Sequence, residues 1–321
     1  MISASPKISV IMTTLNSGRF VTAAVSSIIA QSFRDWELLV VDGGSQDSTV
    51  EQVHSLNDIR ISVIEQKGLR RCEQLNIAIG EATADVLAIM DSDDVAIPER
   101  FAIQYAELSK RPEVDVLGSW ALLIDEGGRS IEISRRPVEH EEILKGLFTQ
   151  RALIFSTTMW RRSLVTNANP FPRDLTFGED VEWYFRISSF ARFANLPRVL
   201  MQLRQRADSR SRTADPDSRK NLMHHINEES ARQISNAKNS SESARILRTQ
   251  GIASYYYGSA HQARHLLADS IRLTGFSLLA VRYLIPSFLL GDRFLPLARR
   301  MRILRFMATL FRRLDLHSRD S

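Results

Sequence analysis

Short apolar runs alternate with stretches of helical hydrophobic spacing through the first ninety-one residues, and this alternation limits the available folds more than any other feature of the chain. Residues 8–12, 36–41, 59–64 and 85–90 are apolar runs of strand length, separated by 20–31, 47–55 and 70–79, which read as helices. In the first helical stretch Phe20, Ala24, Val25, Ile28 and Ile29 fall at helical spacing, and Asp47 stands where a cap is expected for the second. A βαβα order of this kind predicts an α/β protein with a mostly parallel sheet and helices on both faces. Its ligand crevice should lie beyond the carboxyl ends of the strands. Thr13, Asp42 and Asp91 follow three of the four runs and are therefore expected to converge.

The fourth run ends in Asp91, Ser92, Asp93 and Asp94. If the extended conformation continues past Met90, Asp91 and Asp93 point the same way, because strand side chains alternate with period two. Two carboxylates sharing a small site repel, and either one stays protonated or a cation such as Mg2+ or Mn2+ joins them, with substrate phosphates completing the oxygen ligands. A solvated acidic turn leading into the next helix, which Pro98 opens, accounts for the same residues equally well.

A chain of 321 residues with 44% apolar content can bury a full core and has room for one large domain plus an appendage, or for two domains. The single cysteine, Cys72, excludes an internal disulfide and a multi-cysteine zinc site, and points to a reducing compartment. Residues 1–9 lack the apolar core and cleavage site of a signal peptide, and the most apolar late stretch, 275–290, is interrupted by Arg282 and Pro286. The expected location is the cytoplasm, with peripheral attachment at the inner face of the membrane as an option. Charge is divided unevenly: residues 211–321 carry 18 Lys or Arg against 9 Asp or Glu, whereas residues 1–210 carry 24 against 28. An acidic front suits a cation site, and a basic tail suits an anionic surface.

Beyond Pro98 the pattern loosens into a helix at 99–110, strands at 114–117 and 121–124, a turn at Glu126, Gly127 and Gly128, and a strand at 131–133, together an antiparallel addition. A further strand is expected at 154–160 and a helix at 179–193. The polar stretch 204–220 buries little surface and sets a boundary between a first domain, 1–212, and a helical C-terminal extension, 213–321. Within the extension, 244–257 and 261–274 form a helix pair around Gly258. Residues 297–314 place Leu297, Met301, Leu304, Ala308 and Phe311 on one face, with arginines mostly on the other. That helix fits packing on the domain and binding at an anionic membrane surface about equally. Nucleic acid is not expected, because aromatic residues are not interleaved with the basic ones on the polar face.

Four segments in order, SVIMTTLN (9–16), QSFRDWELLVVDGGSQDST (31–49), residues 76–80 leading into AIMDSDDVAIPER (88–100), and FGEDVEWYFR (177–186), resemble the inverting family 2 glycosyltransferases of the GT-A fold. The similarity covers roughly 8–211. It implies that the first strand and Asp42 flank the nucleotide, that Asp91 and Asp93 hold Mg2+ or Mn2+ against the diphosphate, and that Asp180, next to Glu179, is the catalytic base. The candidate donor-binding set is Thr13, Thr14, Asn16, Asp42, Arg71, Asp91 and Ser92. Within it the threonine hydroxyls are equally explained by a turn, Asn16 by capping of the next helix, and Arg71 by a solvated helix start. Two positions depart from the family pattern: Gly43 stands where many members carry a second acid, and Arg206 stands where a histidine is common.

The resemblance implies metal-dependent transfer of one sugar from a nucleotide-diphosphate donor to a hydroxyl of a glycan or lipid-linked acceptor. The polymerising Gln-x-x-Arg-Trp signature is absent, which favours one sugar per encounter. A non-catalytic protein that keeps the fold and uses its basic helical tail for partner or membrane recruitment is the alternative. Nucleotidyl transfer fits less well, since the chain has no phosphate-binding GxxxxGK[ST] loop.

Overall fold

The computed structural model describes residues 5–147, 152–167, 171–207, 215–275 and 277–290. Four parallel strands come first: β1 (Ile8–Thr14), β2 (Trp36–Asp42), β3 (Ile61–Glu65) and β4 (Val86–Asp91). They are joined by helices α1 (Val21–Ile29), α2 (Thr49–Ser55) and α3 (Arg71–Glu81). Burial explains the apolar runs: every residue of β1 is buried, and only the final Asp91 of β4 is not, as expected for strands covered on both faces. Helix α1 buries Val21, Ala24, Val25 and Ile28, a stripe at i, i+3, i+4 and i+7.

The expected cap at Asp47 is displaced by one residue. Ser48 precedes α2, and Asp47 instead accepts hydrogen bonds from the backbone N–H of Gly18 (2.9 Å) and of Thr49 (3.1 Å).

The chain then adds β5 (Val95–Ala96), α4 (Arg100–Lys110), β6 (Val116–Ile124), β7 (Ser130–Ser134), α5 (His140–Gly146), β8 (Met159–Arg161), α6 (Ser163–Asn167), α7 (Glu179–Ile187) and β9 (Phe193–Arg204). The sheet order among the described residues is β3-β2-β1-β4-β8-β6-β9-β5, with β7 on β6. Strands β5, β7 and β8 pair antiparallel with their neighbours, whereas β6 and β9 are parallel to one another. This is the mostly parallel, helix-covered α/β arrangement predicted from the alternation.

Three local expectations differ. The pieces at 114–117 and 121–124 are one strand, β6, because Gly118 and Ser119 continue the ladder with β9 instead of breaking it. The strand at 154–160 is a 3-10 turn over Phe155–Thr157 followed by β8. Thr157 Oγ1 and Thr158 Oγ1 donate back to the carbonyls of Ile154 (2.8 Å) and Phe155 (2.7 Å), which favours the turn. The helix at 179–193 stops at Ile187, and β9 starts at Phe193.

The chain divides into two compact units, Met1–Glu229 and Ser230–Ser321, with the division inside helix α8 (Pro216–Ser235). In the second unit, α9 (Ser240–Tyr257) and α10 (Ala260–Thr274) form the helix pair read from the sequence, followed by α11 (Leu278–Leu290). Asn239 caps α9 by accepting from the Glu242 N–H (2.9 Å), and Ser259 caps α10 by accepting from the Gln262 N–H (3.1 Å). Among the described residues no helix is long and apolar enough to cross a membrane. Residues 297–314 lie outside the described residues.

Candidate active site

The strand ends meet as the alternation predicts. Thr13 lies opposite Asp91 in the β1–β4 pair, and Thr14 opposite Asp42 in the β1–β2 pair. A cavity of about 700 Å³ opens beyond them. Thr13, Thr14, Arg71, Asp91, Ser92, Asp93, Glu179 and Asp180 all line it. A volume of this size is typical of small-molecule sites.

Two members of the predicted donor-binding set are not on the cavity wall. Asp42 is 1% exposed and committed to the loop after β2. Thr14 Oγ1 donates to it at 2.7 Å, and the backbone N–H groups of Gly44 and Ser45 at 2.9 and 2.7 Å. Burial would raise its pKa, but the Ser45 hydroxyl, at 2.5 Å, and these donors outweigh it and hold the carboxyl below the ordinary range. Asn16 does not cap α1, whose preceding residue is Phe20. Its side chain instead accepts from the Gln46 N–H (2.8 Å), and its own N–H donates to Ser45 Oγ (2.8 Å). The loop after β2 thus engages the side-chain carbonyl and the backbone N–H of Asn16. Gly43 has a local explanation too, since a Cβ there would run into Gln74 Nε2 on α3.

The chain does not stay extended past Asp91. It turns, with the Asp94 N–H directed at the Asp91 carbonyl (3.4 Å), so Asp91 and Asp93 face the cavity from either side of a turn instead of from one strand face. Asp94 points inward: it is 1% exposed, and its carboxylate accepts from Ser156 Oγ (2.7 Å) and the Arg204 N–H (2.9 Å). Burial, then the charges of Asp91 and Asp93, push its pKa well above the ordinary range. Ser92 Oγ shares a hydrogen bond with Ser17 Oγ at 2.8 Å.

Asp91 and Asp93 each meet an arginine. Arg71, at the start of α3, pairs with Asp91 at 2.5 Å and with Glu179 at 2.8 Å. Burial opposes its charge, but the two carboxylates prevail and hold the guanidinium protonated. The solvated helix start considered for Arg71 is therefore replaced by a partly buried bridge. Arg206 pairs with Asp93 at 3.2 Å. It reaches the turn because β5 pairs antiparallel with β9, placing Val95 opposite Gln202 and the end of β9 beside the acidic residues. Burial, then the Asp91 charge, push the Asp93 carboxyl up, with Arg206 pulling it down.

Asp180 sits in the first turn of α7 after Gly178, which adopts φ +78°. Burial, then the neighbouring Glu179 charge, push its pKa up to about 6, opposed by the Val181 N–H and Arg71. A carboxyl tuned to that range can accept a proton near neutral pH. Glu179 beside it is 6% exposed and engaged by Arg71, and both acids line the cavity.

Among the described residues no three His, Cys, Asp or Glu side chains gather into a cation cage. A cation completed by substrate phosphates needs only one or two carboxylates, and Asp91 with Asp93 supplies that hard-oxygen pair. Burial and then the Asp91 charge raise Asp93, and a cation between the two carboxylates would offset that charge. The residues fit such an ion.

Sequence reasoning missed Arg204, whose Nε donates to the Asp93 carbonyl (2.9 Å) and whose Nη1 donates to the carbonyls of Asp125 (3.1 Å) and Glu126 (3.0 Å). It ties the acidic turn to the β6–β7 hairpin. Its signal was the bare arginine at the end of an unassigned strand. Phe155 also lines the cavity, with the Arg71 guanidinium 5.6 Å from its ring centre.

Residues 9–167 match the family model described as Glycosyl transferase family 2. An uncharacterized glycosyltransferase of Haemophilus influenzae is 26% identical over 248 residues, 69% of this chain and 75% of that protein. The amylovoran biosynthesis glycosyltransferase AmsE of Erwinia amylovora is 32% identical over 149 residues, 44% of this chain and 53% of AmsE. Among solved structures, residues 1–349 of S. aureus TarS in complex with UDP-GlcNAc superpose with a TM-score of 0.64 at 21% identity, covering 83% of this chain and 81% of that one. This likeness identifies the shared GT-A fold.

Proposed function

The chain belongs to the family 2 glycosyltransferases, and from that premise we propose that its cavity transfers a single sugar, with inversion, from a nucleotide-diphosphate sugar to a hydroxyl of a glycan or lipid-linked acceptor. The observation that carries this reading is that Asp180 and the Asp91–Asp93 pair line one cavity at the carboxyl end of the sheet. TarS with UDP-GlcNAc supports a nucleotide-sugar donor, and AmsE, a polysaccharide biosynthesis enzyme by name, supports a glycan-building acceptor.

In this reading Thr13, Thr14 and Ser92 orient the nucleotide end of the donor, and Arg71 stands at the diphosphate. Mg2+ or Mn2+ on Asp91 and Asp93 would offset the negative charge that the leaving diphosphate gains as the glycosidic bond breaks. Asp180 accepts the proton of the acceptor hydroxyl as that oxygen attacks the anomeric carbon opposite the leaving group. General-base assistance of this kind is worth about 10² to 10⁴ in rate. Glu179, fixed on Arg71, keeps the first turn of α7 in place and raises the proton affinity of its neighbour. Residues 1–212 carry the transfer, and 213–321 form the helical extension, whose basic end attaches to an anionic membrane surface.

A screen of UDP-, GDP- and dTDP-sugars by thermal shift with Mn2+ should identify a donor that raises Tm. Transfer or hydrolysis of that donor is then expected from the wild type and strongly reduced in Asp180→Asn. Absence of turnover with every common donor, with and without acceptors, would assign the fold to a non-catalytic role.

A further inference from the structure

Arg206 occupies the position most relevant to the acidic turn and has no assigned role. Its Nη1 lies 3.2 Å from Asp93 Oδ2, and its guanidinium carbon is 5.4 Å from the centre of the Phe20 ring. Arg204 shares that ring at 4.7 Å but donates to backbone carbonyls of Asp93, Asp125 and Glu126, so its task is to fix the turn. Arg206 reaches the carboxylate itself. The oxygen it engages belongs to the pair that a divalent cation would use, and a cation arriving there meets a fixed positive charge a few ångströms away.

Asp91 and Asp93 are not paired alike. Arg71 joins two carboxylates, at 2.5 and 2.8 Å, whereas the Arg206–Asp93 contact is longer, at 3.2 Å. Arg206 also lines the cavity, where a diphosphate would offer it several new anionic oxygens. We propose that Arg206 is a resident counter-cation of Asp93 that suppresses divalent-cation binding to the donor-free pocket, and that a nucleoside diphosphate lifts the suppression by taking the guanidinium. This rests on the cavity being the donor site. The consequence is that cation and diphosphate bind in concert, each strengthening the other by the same factor.

The test is calorimetric titration of MnCl2 into donor-free protein: wild type, Arg206→Gln, Arg206→Lys, and Arg206→Gln combined with Asp93→Asn, with circular dichroism confirming the fold of each. Arg206→Gln should bind Mn2+ at least about fivefold more tightly than wild type, the lower end of ordinary site-to-site coupling. Arg206→Lys, which keeps the charge, should resemble wild type, and the double variant should lose the gain. Saturating UDP should bring wild type and Arg206→Gln together. Equal Mn2+ affinity in wild type and Arg206→Gln, or a gain that survives Asp93→Asn, overturns the proposal while leaving the donor reading intact. Failure of UDP, GDP and dTDP to bind any of the proteins in parallel titrations removes the donor reading itself, and this proposal with it.

Discussion

Arg71 is ion-paired to Asp91 across 2.5 Å, joining the first turn of α3 to the last residue of β4. The same guanidinium holds Glu179 at 2.8 Å, so one side chain connects two of the elements that build the cavity wall. Arg71→Gln keeps polarity and removes the charge, leaving two partly buried carboxylates facing one another. Hydrogen bonds to charged groups contribute about 1.5–3 kcal/mol, and the loss should fall in that range. Calorimetric unfolding should show a Tm lower by several degrees, and donor affinity should fall with it. An unchanged Tm would mean that the bridge is not formed in solution.

Asp180, with its pKa pushed up to about 6, gives the transfer rate a direction with pH. A base works deprotonated, so transfer should rise as pH increases through about 6 and then level off. The sign for stability is opposite. A carboxyl whose proton affinity is higher in the folded state stabilises the fold most below its unfolded value of 3.8, and that contribution is lost as pH rises toward 6. At pH 7.5 the charged carboxylate is therefore a burden on the fold. Asp180→Asn should raise Tm by a few degrees at that pH while strongly lowering transfer, with donor binding nearly intact. A variant with near-normal transfer would remove the base assignment.

How much of this was legible in the sequence differs from element to element. Strands β1, β2 and β4 are buried on both faces, so each reads as a continuous apolar run, and their ends located Thr13, Asp42 and Asp91 together. Helix α7 was overrun because Ile187, Phe190 and Phe193 continue helical spacing, although Phe190 is 55% exposed and lies outside the helix. Strand β9 was hidden by Pro197. The ladder with β6 absorbs that residue in a bulge, passing from Ser119–Leu196 directly to Trp120–Val199. The ion pairs of Arg71 and Arg206 depend on tertiary neighbours far along the chain, which periodicity does not encode.

Asp93 tests the cation assignment independently of activity. Asp93→Asn removes one hard-oxygen donor and one member of the repelling pair while preserving shape. Mn2+ binding in the presence of UDP should weaken at least about tenfold by calorimetry, a change of about 1.4 kcal/mol. Unchanged binding would place the ion elsewhere.

Gly178 carries two demands at once. Its φ of +78° is left-handed, and a Cβ on it would run against Leu222 Cδ2 of α8 at 2.5 Å. Gly178→Ala should therefore destabilise the fold by about 1–3 kcal/mol, combining backbone strain with overpacking. Because Asp180 lies two residues on, transfer should fall as well. Adding Leu222→Ala opens the space but not the dihedral angle, and it creates its own cavity. The coupling between the two substitutions, measured by a double-mutant cycle, should be favourable by at least about 0.5 kcal/mol. Strict additivity would mean that the backbone, and not the Leu222 contact, sets the requirement for glycine.

The basic end of the chain is amphipathic in sequence. Residues 297–314 place Leu297, Met301, Leu304, Ala308 and Phe311 against Arg302, Arg305, Arg312 and Arg313. An amphipathic segment of this kind binds an anionic interface through apolar burial plus charge attraction, each arginine near the surface adding about 1 kcal/mol. Removal of residues 296–321 should reduce sedimentation with phosphatidylglycerol vesicles at low salt while leaving donor binding in the cavity unchanged. Raising the salt should weaken binding of the full chain toward the level of the truncated one, since screening acts on the arginines and not on the apolar face. Equal partition of the two proteins at low salt would return these residues to packing within the protein and leave the acceptor to be met without a membrane anchor of this type.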